Sequence, residues 1–88
     1  MVKNYFKIIN RLGLHARAAA QLVQTANQFT AEVMLVKDDV EVNGKSIMGI
    51  LLLAAPQGTE LEVRIEGDDE EAAMTAVAHL IEDGFGED

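Results

Sequence analysis

The sequence predicts an α+β fold, an open-faced β-sandwich in which a four-stranded antiparallel sheet carries three helices on one face. Segments of alternating apolar and polar residues interchange with segments of helical periodicity in the order βαββαβα. The predicted strands have one polar face, which is typical of antiparallel sheets with one side in water. Because each helix must bury its apolar stripe against the one apolar sheet face, all three helices are expected there.

The first half of the chain predicts a strand, a helix and a hairpin. Residues 2–9 alternate as in a half-buried strand, and residues 10–14 follow as a loop. A core-facing i, i+3, i+4, i+7 spacing predicts a helix from Ala16 to about Asn27. Asp38 and Asp39 are predicted to form a turn, because Asp tolerates the dihedral angles of tight turns. The helical stripe is Ala19, Leu22, Val23 and Ala26, and the hairpin strands are Glu32–Lys37 and Val40–Asn43.

The second half predicts a short helix, a strand and a longer helix. Ser46 precedes the apolar run 47–53, which indicates a short helix with Ser46 as its N-cap. Residues 60–66 alternate as a fourth strand with one polar face. Residues 68–83 begin with acids and end before Gly84, as helices commonly do. The apolar stripe of this helix is Ala73, Met74, Val77, Leu80 and Ile81.

Length and composition limit the function classes. The chain has 88 residues, 49% of them hydrophobic, which predicts a single domain over residues 1–88 without room for a deep cleft. There is no cysteine, so a reducing cytoplasm is expected. The longest apolar run falls short of the ~20 residues of a membrane span. A net charge of −8 argues against nucleic acid as a partner.

Charge is distributed unevenly along the chain. Residues 1–31 carry a formal charge of +4 and no acid, whereas residues 32–88 hold all 15 acids. An anionic ligand is therefore expected at the N-terminal segment, and the acidic remainder either solvates the surface or meets a basic partner.

The segment LGLHARAAAQL contains the main candidate site. If a helix starts at Ala16, His15 lies at or beside the N-cap, where backbone N–H groups lack carbonyl partners and the helix dipole is positive. The positive dipole disfavours the protonated ring, so His15 is expected to be a neutral nucleophile. The free N–H groups and the guanidinium of Arg17 match a phosphoryl group, which predicts that His15 carries phosphate.

Other site types are less well supported. A metal site lacks ligands, because His79 is the one other histidine, is predicted to face solvent, and there is no cysteine. A P-loop ending in Gly44, Lys45 and Ser46 would need glycine where Asp39 stands. A hydrolase pair of Ser46 and His15 lacks the nucleophile-elbow motif. An ordinary surface or capping role for His15 remains the alternative.

Two motifs carry a family resemblance. GLHARAAAQLVQTA at 13–26 and GKSIMGILLLAA at 44–55, together with the EGDDEEAA segment and the chain length, resemble the HPr family of phosphocarriers of the bacterial phosphotransferase system. The resemblance implies that His15 accepts phosphate on Nδ1 from enzyme I and donates it to enzyme II A domains, with Arg17 as companion. The resemblance implies that no cofactor or metal is needed. It also implies that the protein is a carrier, which serves as a substrate of enzymes and is not itself an enzyme.

The resemblance extends to the second motif. Ser46 matches a serine that an ATP-dependent HPr kinase/phosphorylase modifies in part of the family, and a plain helix cap is the alternative. Ile47, Met48 and Leu51 match the family's apolar partner-binding patch. Because a short helix must also bury apolar residues, some of these three are expected in the core. A monomer with small, transient interfaces is expected.

One position departs from the pattern. Ala18 follows the arginine where many members have proline, and alanine suits a first helical turn and adds an N–H donor. Together with the GFGED ending, Ala18 resembles the nitrogen-related branch, whose carriers regulate metabolism, while the sugar-uptake branch stays open. The competing class is a non-covalent anion-binding regulatory module of the same fold.

Overall fold

The computed structural model describes residues 1–87, and their elements follow the predicted order. The strands are β1 (Val2–Lys7), β2 (Glu32–Lys37), β3 (Val40–Asn43) and β4 (Glu60–Glu66). The helices are α1 (Ala16–Ala26), α2 (Ile47–Leu53) and α3 (Glu70–Glu82), followed by a short 3-10 turn at Gly84–Gly86. The predicted bounds of β2, β3, β4 and α2 are confirmed to the residue.

The four strands form one antiparallel sheet in the order β1-β4-β2-β3. Strand β4 lies in the interior, and its apolar face is fully buried because Leu61, Val63 and Ile65 alternate inward. Helix α3 packs on β1 and β4, α2 packs on β2 and β3, and α1 contacts both other helices. The predicted α+β class, with three helices on one sheet face, is confirmed.

The hairpin and the short helix stabilise each other. Asp38 and Asp39 adopt positive φ angles of 50° and 67°, which confirms the predicted turn between β2 and β3. Lys37 donates from Nζ to the carbonyl oxygens of Leu53 and Ala54, at 3.1 and 3.2 Å. A cation is thereby placed at the C-terminal end of α2, where carbonyl groups lack helical partners and the dipole is negative.

Two predicted element ends differ from the structure by two residues, and α3 also ends one residue before the predicted end, at Glu82. Strand β1 ends at Lys7 and not at residue 9, because Ile8 leaves the ladder and exchanges hydrogen bonds with Gly58 and Thr59 in the loop before β4. Helix α3 begins at Glu70 and not at Asp68, because the Asp69 carboxylate accepts N–H bonds from Thr30 and Ala31 across the fold. Both shifts come from partners distant in sequence, which local periodicity does not report.

The expectation that some of Ile47, Met48 and Leu51 are core residues is wrong. All three side chains are exposed, with Met48 at 71%. The inward face of α2 is supplied by Ile50 and Leu53, which are buried. A helix of seven residues turns one narrow stripe to the sheet, so the remaining apolar residues face outward.

Among residues 1–87, the longest helix is α3 with 13 residues, and none combines the length and hydropathy of a membrane-spanning segment.

Candidate functional site

A tight turn before α1 sets the position of His15. Gly13 has a φ of +66° and donates its N–H to the backbone carbonyl oxygen of Asn10 at 3.1 Å, which closes the turn. Leu14 is buried and donates its N–H to the carbonyl oxygen of Ala55 at 2.9 Å. A Cβ atom at residue 13 would collide with the backbone of Ala55 and Pro56, so glycine is required there. The chain therefore enters α1 in one fixed direction, with His15 at the helix start.

His15 is the N-cap of α1, as predicted. Its backbone is extended (φ −77°, ψ 178°), and its carbonyl oxygen accepts the first helical bond, from Ala19, at 2.8 Å. The ring atom Nδ1 accepts a hydrogen bond from the backbone N–H of Arg17 at 3.3 Å. An accepting Nδ1 must be unprotonated, which assigns the ring proton to Nε2 in the neutral ring. The nucleophilic lone pair therefore faces the unpaired amides of the helix start.

A shallow cavity lies beside the ring. It has a volume of about 330 Å³ and is lined by His15, Arg11, Arg17 and Leu12, together with Phe85, Gly86 and Glu87 from the C-terminal segment. Arg11 and Arg17 are both exposed, so two guanidinium groups border the space next to the histidine. Such groups suit an anion with several oxygens. Arg11 belongs to the basic N-terminal segment, but the sequence alone does not assign it to the site.

The C-terminal segment brings to the site a carboxylate that the sequence does not predict there. Glu87 contacts Nε2 of His15 through one carboxylate oxygen and accepts a hydrogen bond from Nδ2 of Asn10 at 3.1 Å through the other. The pKa of the Glu87 carboxyl lies below its ordinary value, first because of the hydrogen bond with His15 and then because of the one from Asn10. Partial desolvation acts in the opposite direction. Arg17 adds an attractive charge in the same direction. Glu87 is therefore ionised next to the ring at neutral pH.

Asn10 is the buried polar residue behind this contact. It is 3% exposed, and its Nδ2 donates to Gly13 at 2.8 Å as well as to Glu87. Within residues 1–87, its Oδ1 is the one buried side-chain atom without a hydrogen-bond partner. The two acceptors thus orient the side-chain amide of Asn10, although its oxygen, Oδ1, stays unsatisfied.

Ser46 lies at the start of α2, where it was predicted. Its backbone is extended and its Oγ accepts the N–H of Gly49 at 3.1 Å, which confirms the N-cap geometry. The side chain is partly exposed.

The predicted apolar patch is on the surface. Ile47, Met48 and Leu51 are exposed, and Leu52 extends the patch with 76% of its area exposed. Leu12, which lines the cavity at His15, is exposed as well. Exposed apolar groups of this size concentrated on one helix are typical of protein-binding surfaces. His79 is exposed on α3, which confirms its predicted solvent-facing position.

Known proteins match the chain over nearly its whole length. The family described as "PTS HPr component phosphorylation site" matches residues 2–83. The phosphocarrier protein HPr of Neisseria meningitidis serogroup A is 53% identical over 87 residues, covering 99% of this chain and 98% of the relative. The crystal structure of HPr from Thermoanaerobacter tengcongensis superposes with a TM-score of 0.96 at 48% identity, covering 100% and 99% of the two chains. A second structure from that organism, described as an HPr dimer, matches with a TM-score of 0.80 at 48% identity, covering 99% and 100%.

The open-faced sheet, the histidine at a helix start and these matches define a small phosphocarrier of the phosphotransferase system. The chain belongs to the HPr family. Its function is to carry a phosphoryl group, and the matches do not favour the alternative of a non-covalent anion-binding module.

Proposed function

We propose that His15 is the residue that carries the phosphoryl group, on Nδ1, between enzyme I and an A domain of an enzyme II. The observation that supports this assignment most strongly is the hydrogen bond from the Arg17 N–H to Nδ1. The bond aims the lone pair of Nδ1 at the amides of α1, so that a group attached to Nδ1 meets N–H donors at once. Nε2, at the other end of the ring, is occupied by Glu87.

The transfer is an exchange of one bond to phosphorus for another. The lone pair of Nδ1 forms a bond to phosphorus while the bond between phosphorus and enzyme I breaks, and that electron pair stays with enzyme I. In the second step the acceptor on the enzyme II A domain attacks, and the electron pair of the P–N bond returns to Nδ1. No redox partner or metal is needed. Amides of the first turn of α1 and the guanidinium groups of Arg17 and Arg11 balance the phosphoryl charge in between.

The exposed site suits a carrier that two larger proteins must reach in turn. We propose that Ile47, Met48 and Leu51, extended by Leu52, dock enzyme I and enzyme II A domains. A contact that forms and dissociates at each transfer is expected to bury less than ~1,200 Å². The protein then serves as a substrate of these enzymes and is not itself an enzyme.

Labelling tests the carrier role directly. The protein is incubated with enzyme I and phosphoenolpyruvate carrying radioactive phosphate, and the protein-bound label is tested for stability in acid and alkali. We expect label that is acid-labile and alkali-stable, absent from His15→Ala and retained in His79→Ala, which removes the exposed histidine on α3. Absence of label in the unaltered protein would favour a non-covalent anion-binding module.

Ser46 is proposed as a regulatory phosphorylation site for an HPr kinase/phosphorylase. A phosphate there would lie at the start of α2 and next to Ile47 and Met48, so its effect is expected on partner docking more than on folding. Mass spectrometry after incubation with HPr kinase and ATP tests this proposal. A Ser46 that stays unmodified under conditions that modify a known substrate would refute it.

We propose further that residues 1–88 act as one cytoplasmic domain, as a monomer and without a cofactor. Light scattering at working concentrations tests the monomer, and a dimer mass would contradict it. The nitrogen branch is favoured over the sugar branch by Ala18 and the GFGED ending. Transfer assays with A domains of each type distinguish the two branches.

A further inference from the structure

The chain after α3 folds back onto the start of α1. Gly84, Phe85 and Gly86 all adopt positive φ angles, of 65°, 58° and 73°, so the chain reverses within three residues. Positive φ is costly for a side chain such as phenylalanine, and the burial of Phe85 to 2% exposure offsets that cost. The N–H of Glu87 closes the turn on the carbonyl of Gly84 at 3.0 Å. Burial and hydrogen bonding therefore fix the direction in which Glu87 leaves the turn.

Three residues far apart in sequence meet at the end of this turn. Asn10, anchored on the Gly13 carbonyl at 2.8 Å, holds one oxygen of Glu87 at 3.1 Å, and the other oxygen contacts Nε2 of His15. Asn10 and Glu87 are 77 residues apart, and His15 and Glu87 are 72 apart. The buried amide of Asn10 orients the carboxylate of Glu87, which a side chain that only contacts solvent does not require.

We propose that Glu87, held by Asn10, is a positioning residue that keeps the proton of His15 on Nε2 and the lone pair on Nδ1. The inference rests on the proposed role of His15. A carboxylate that accepts the Nε2 proton fixes both the tautomer and the rotation of the ring, as partner carboxylates do for histidines in other sites.

Charge gives Glu87 a second effect on the transfer. When Nδ1 forms its bond to phosphorus, the ring gains positive charge, which is shared with the Nε2–H. The Glu87 carboxylate lies at that end of the ring, so it stabilises the charge that develops during the attack. The phosphoryl group arrives at Nδ1, where the backbone N–H of Arg17 lies, and Glu87 contacts Nε2, so the two negative groups meet different nitrogens of the ring.

The experiment compares Glu87→Ala and Glu87→Gln with Glu82→Ala as control. Glu82 is an exposed carboxylate at the end of α3, so its removal changes the net charge equally without touching His15. Nitrogen-15 NMR of the histidine rings, at a pH where they are neutral, reports which nitrogen carries the proton. Phosphoryl transfer from enzyme I reports kcat and KM for each variant.

Wild type and Glu82→Ala are expected to hold the proton on Nε2 of His15, and Glu87→Ala is expected to show a mixture of tautomers. With Glu87→Ala as substrate, the kcat of enzyme I should fall about tenfold and its KM should stay unchanged, because the proposed docking patch on α2 does not include this residue. Glu87→Gln keeps an acceptor without the charge, so it should hold the tautomer and lose part of kcat.

An unchanged tautomer in Glu87→Ala, or a kcat equal to that of Glu82→Ala, would overturn the inference. Glu87→Ala is uninformative if it alters the backbone amide spectrum beyond the site. The test is then the kcat of enzyme I with Glu87→Gln, and a kcat equal to that with wild type would overturn the inference. A wild-type protein that takes no label from enzyme I would refute the carrier role of His15, a result separate from the tautomer of the ring.

Discussion

The Nδ1 atom of His15 accepts a hydrogen bond from the backbone nitrogen of Arg17 at 3.3 Å. The proposed phosphoryl acceptor thus also serves as the cap of α1. When Nδ1 is phosphorylated, a phosphoryl oxygen can take over the Arg17 N–H, so the helix start keeps a partner in both states. Phosphorylation is therefore expected to change the surface at His15 without unfolding α1.

Removal of either guanidinium at the cavity is expected to slow transfer. Arg17→Ala should lower kcat/KM for enzyme I about tenfold, and Arg11→Ala should lower it less, because each loses a charge-assisted contact to the phosphoryl group. Lys3→Ala, which removes an exposed cation on β1, is the matched control. Equal rates for the Arg17 and Lys3 variants would exclude the companion role of Arg17.

Two substitutions at Ser46 are expected to separate its capping role from its regulatory role. Ser46→Ala loses the bond to the Gly49 N–H and should lower the free energy of unfolding by about 1 kcal/mol. Ser46→Asp keeps a good cap, so its stability in urea should stay near that of the wild type, while its added charge beside Met48 should raise KM for enzyme I. An unchanged KM for Ser46→Asp would contradict regulation of docking by the charge of a phosphate at this position.

The apolar patch is expected to act in docking. Met48→Asp should raise KM for enzyme I and leave the melting temperature unchanged, because the side chain is 71% exposed. Val40→Asp is the control, since Val40 is an exposed apolar residue on β3. A docking role for α2 is contradicted if the two variants give the same KM.

Asp69 is expected to make the fold sensitive to acid. Its carboxylate accepts N–H bonds from Thr30 and Ala31, which hold the pKa of Asp69 below its ordinary value of 3.8, against desolvation. Because the pKa is lower in the folded state, this stabilisation is complete above the ordinary value and is lost as the pH falls through the folded one.

Urea unfolding of wild type and Asp69→Asn at a series of pH values measures this effect. The difference in unfolding free energy should shrink as the pH is lowered below about 4. Asp68→Asn, at the exposed neighbouring acid, should show no such trend. A wild-type advantage over Asp69→Asn that persists undiminished in acid would rule out the contribution of the ionised carboxylate.

Local pattern was sufficient for most of the fold. Alternation and turn residues specify β2, β3 and β4 to the residue, because their bounds depend on neighbours in sequence. Local pattern does not predict the end of β1 or the start of α3. Ile8 bonds to residues 50 and 51 positions away, and Asp69 bonds to residues 38 and 39 positions away. The outward face of α2 is not predictable from its sequence, because its apolar run has no polar residue to mark which side faces water.

The same distinction holds for the site. The positions of His15, Arg17 and Ser46 at helix starts are predictable, because capping depends on residues within a few positions of a helix start. Glu87 is not predictable as a neighbour of His15, because the contact spans 72 residues and nothing in the GFGED segment indicates which way the chain turns. The two glycines around Phe85 indicate a chain reversal, but they do not indicate which part of the protein the reversed chain contacts. Asn10 lies in a loop where a polar residue is ordinary, and its burial appears only in the folded chain.

The attachment of the phosphoryl group to Nδ1 of His15 can be observed by phosphorus and nitrogen NMR of the protein, labelled with nitrogen-15 in histidine and phosphorylated by enzyme I. We expect one phosphorus signal coupled to Nδ1 of His15, with Nε2 of the same ring still protonated. A phosphorus coupled to Nε2, or to a ring nitrogen of His79, would contradict it.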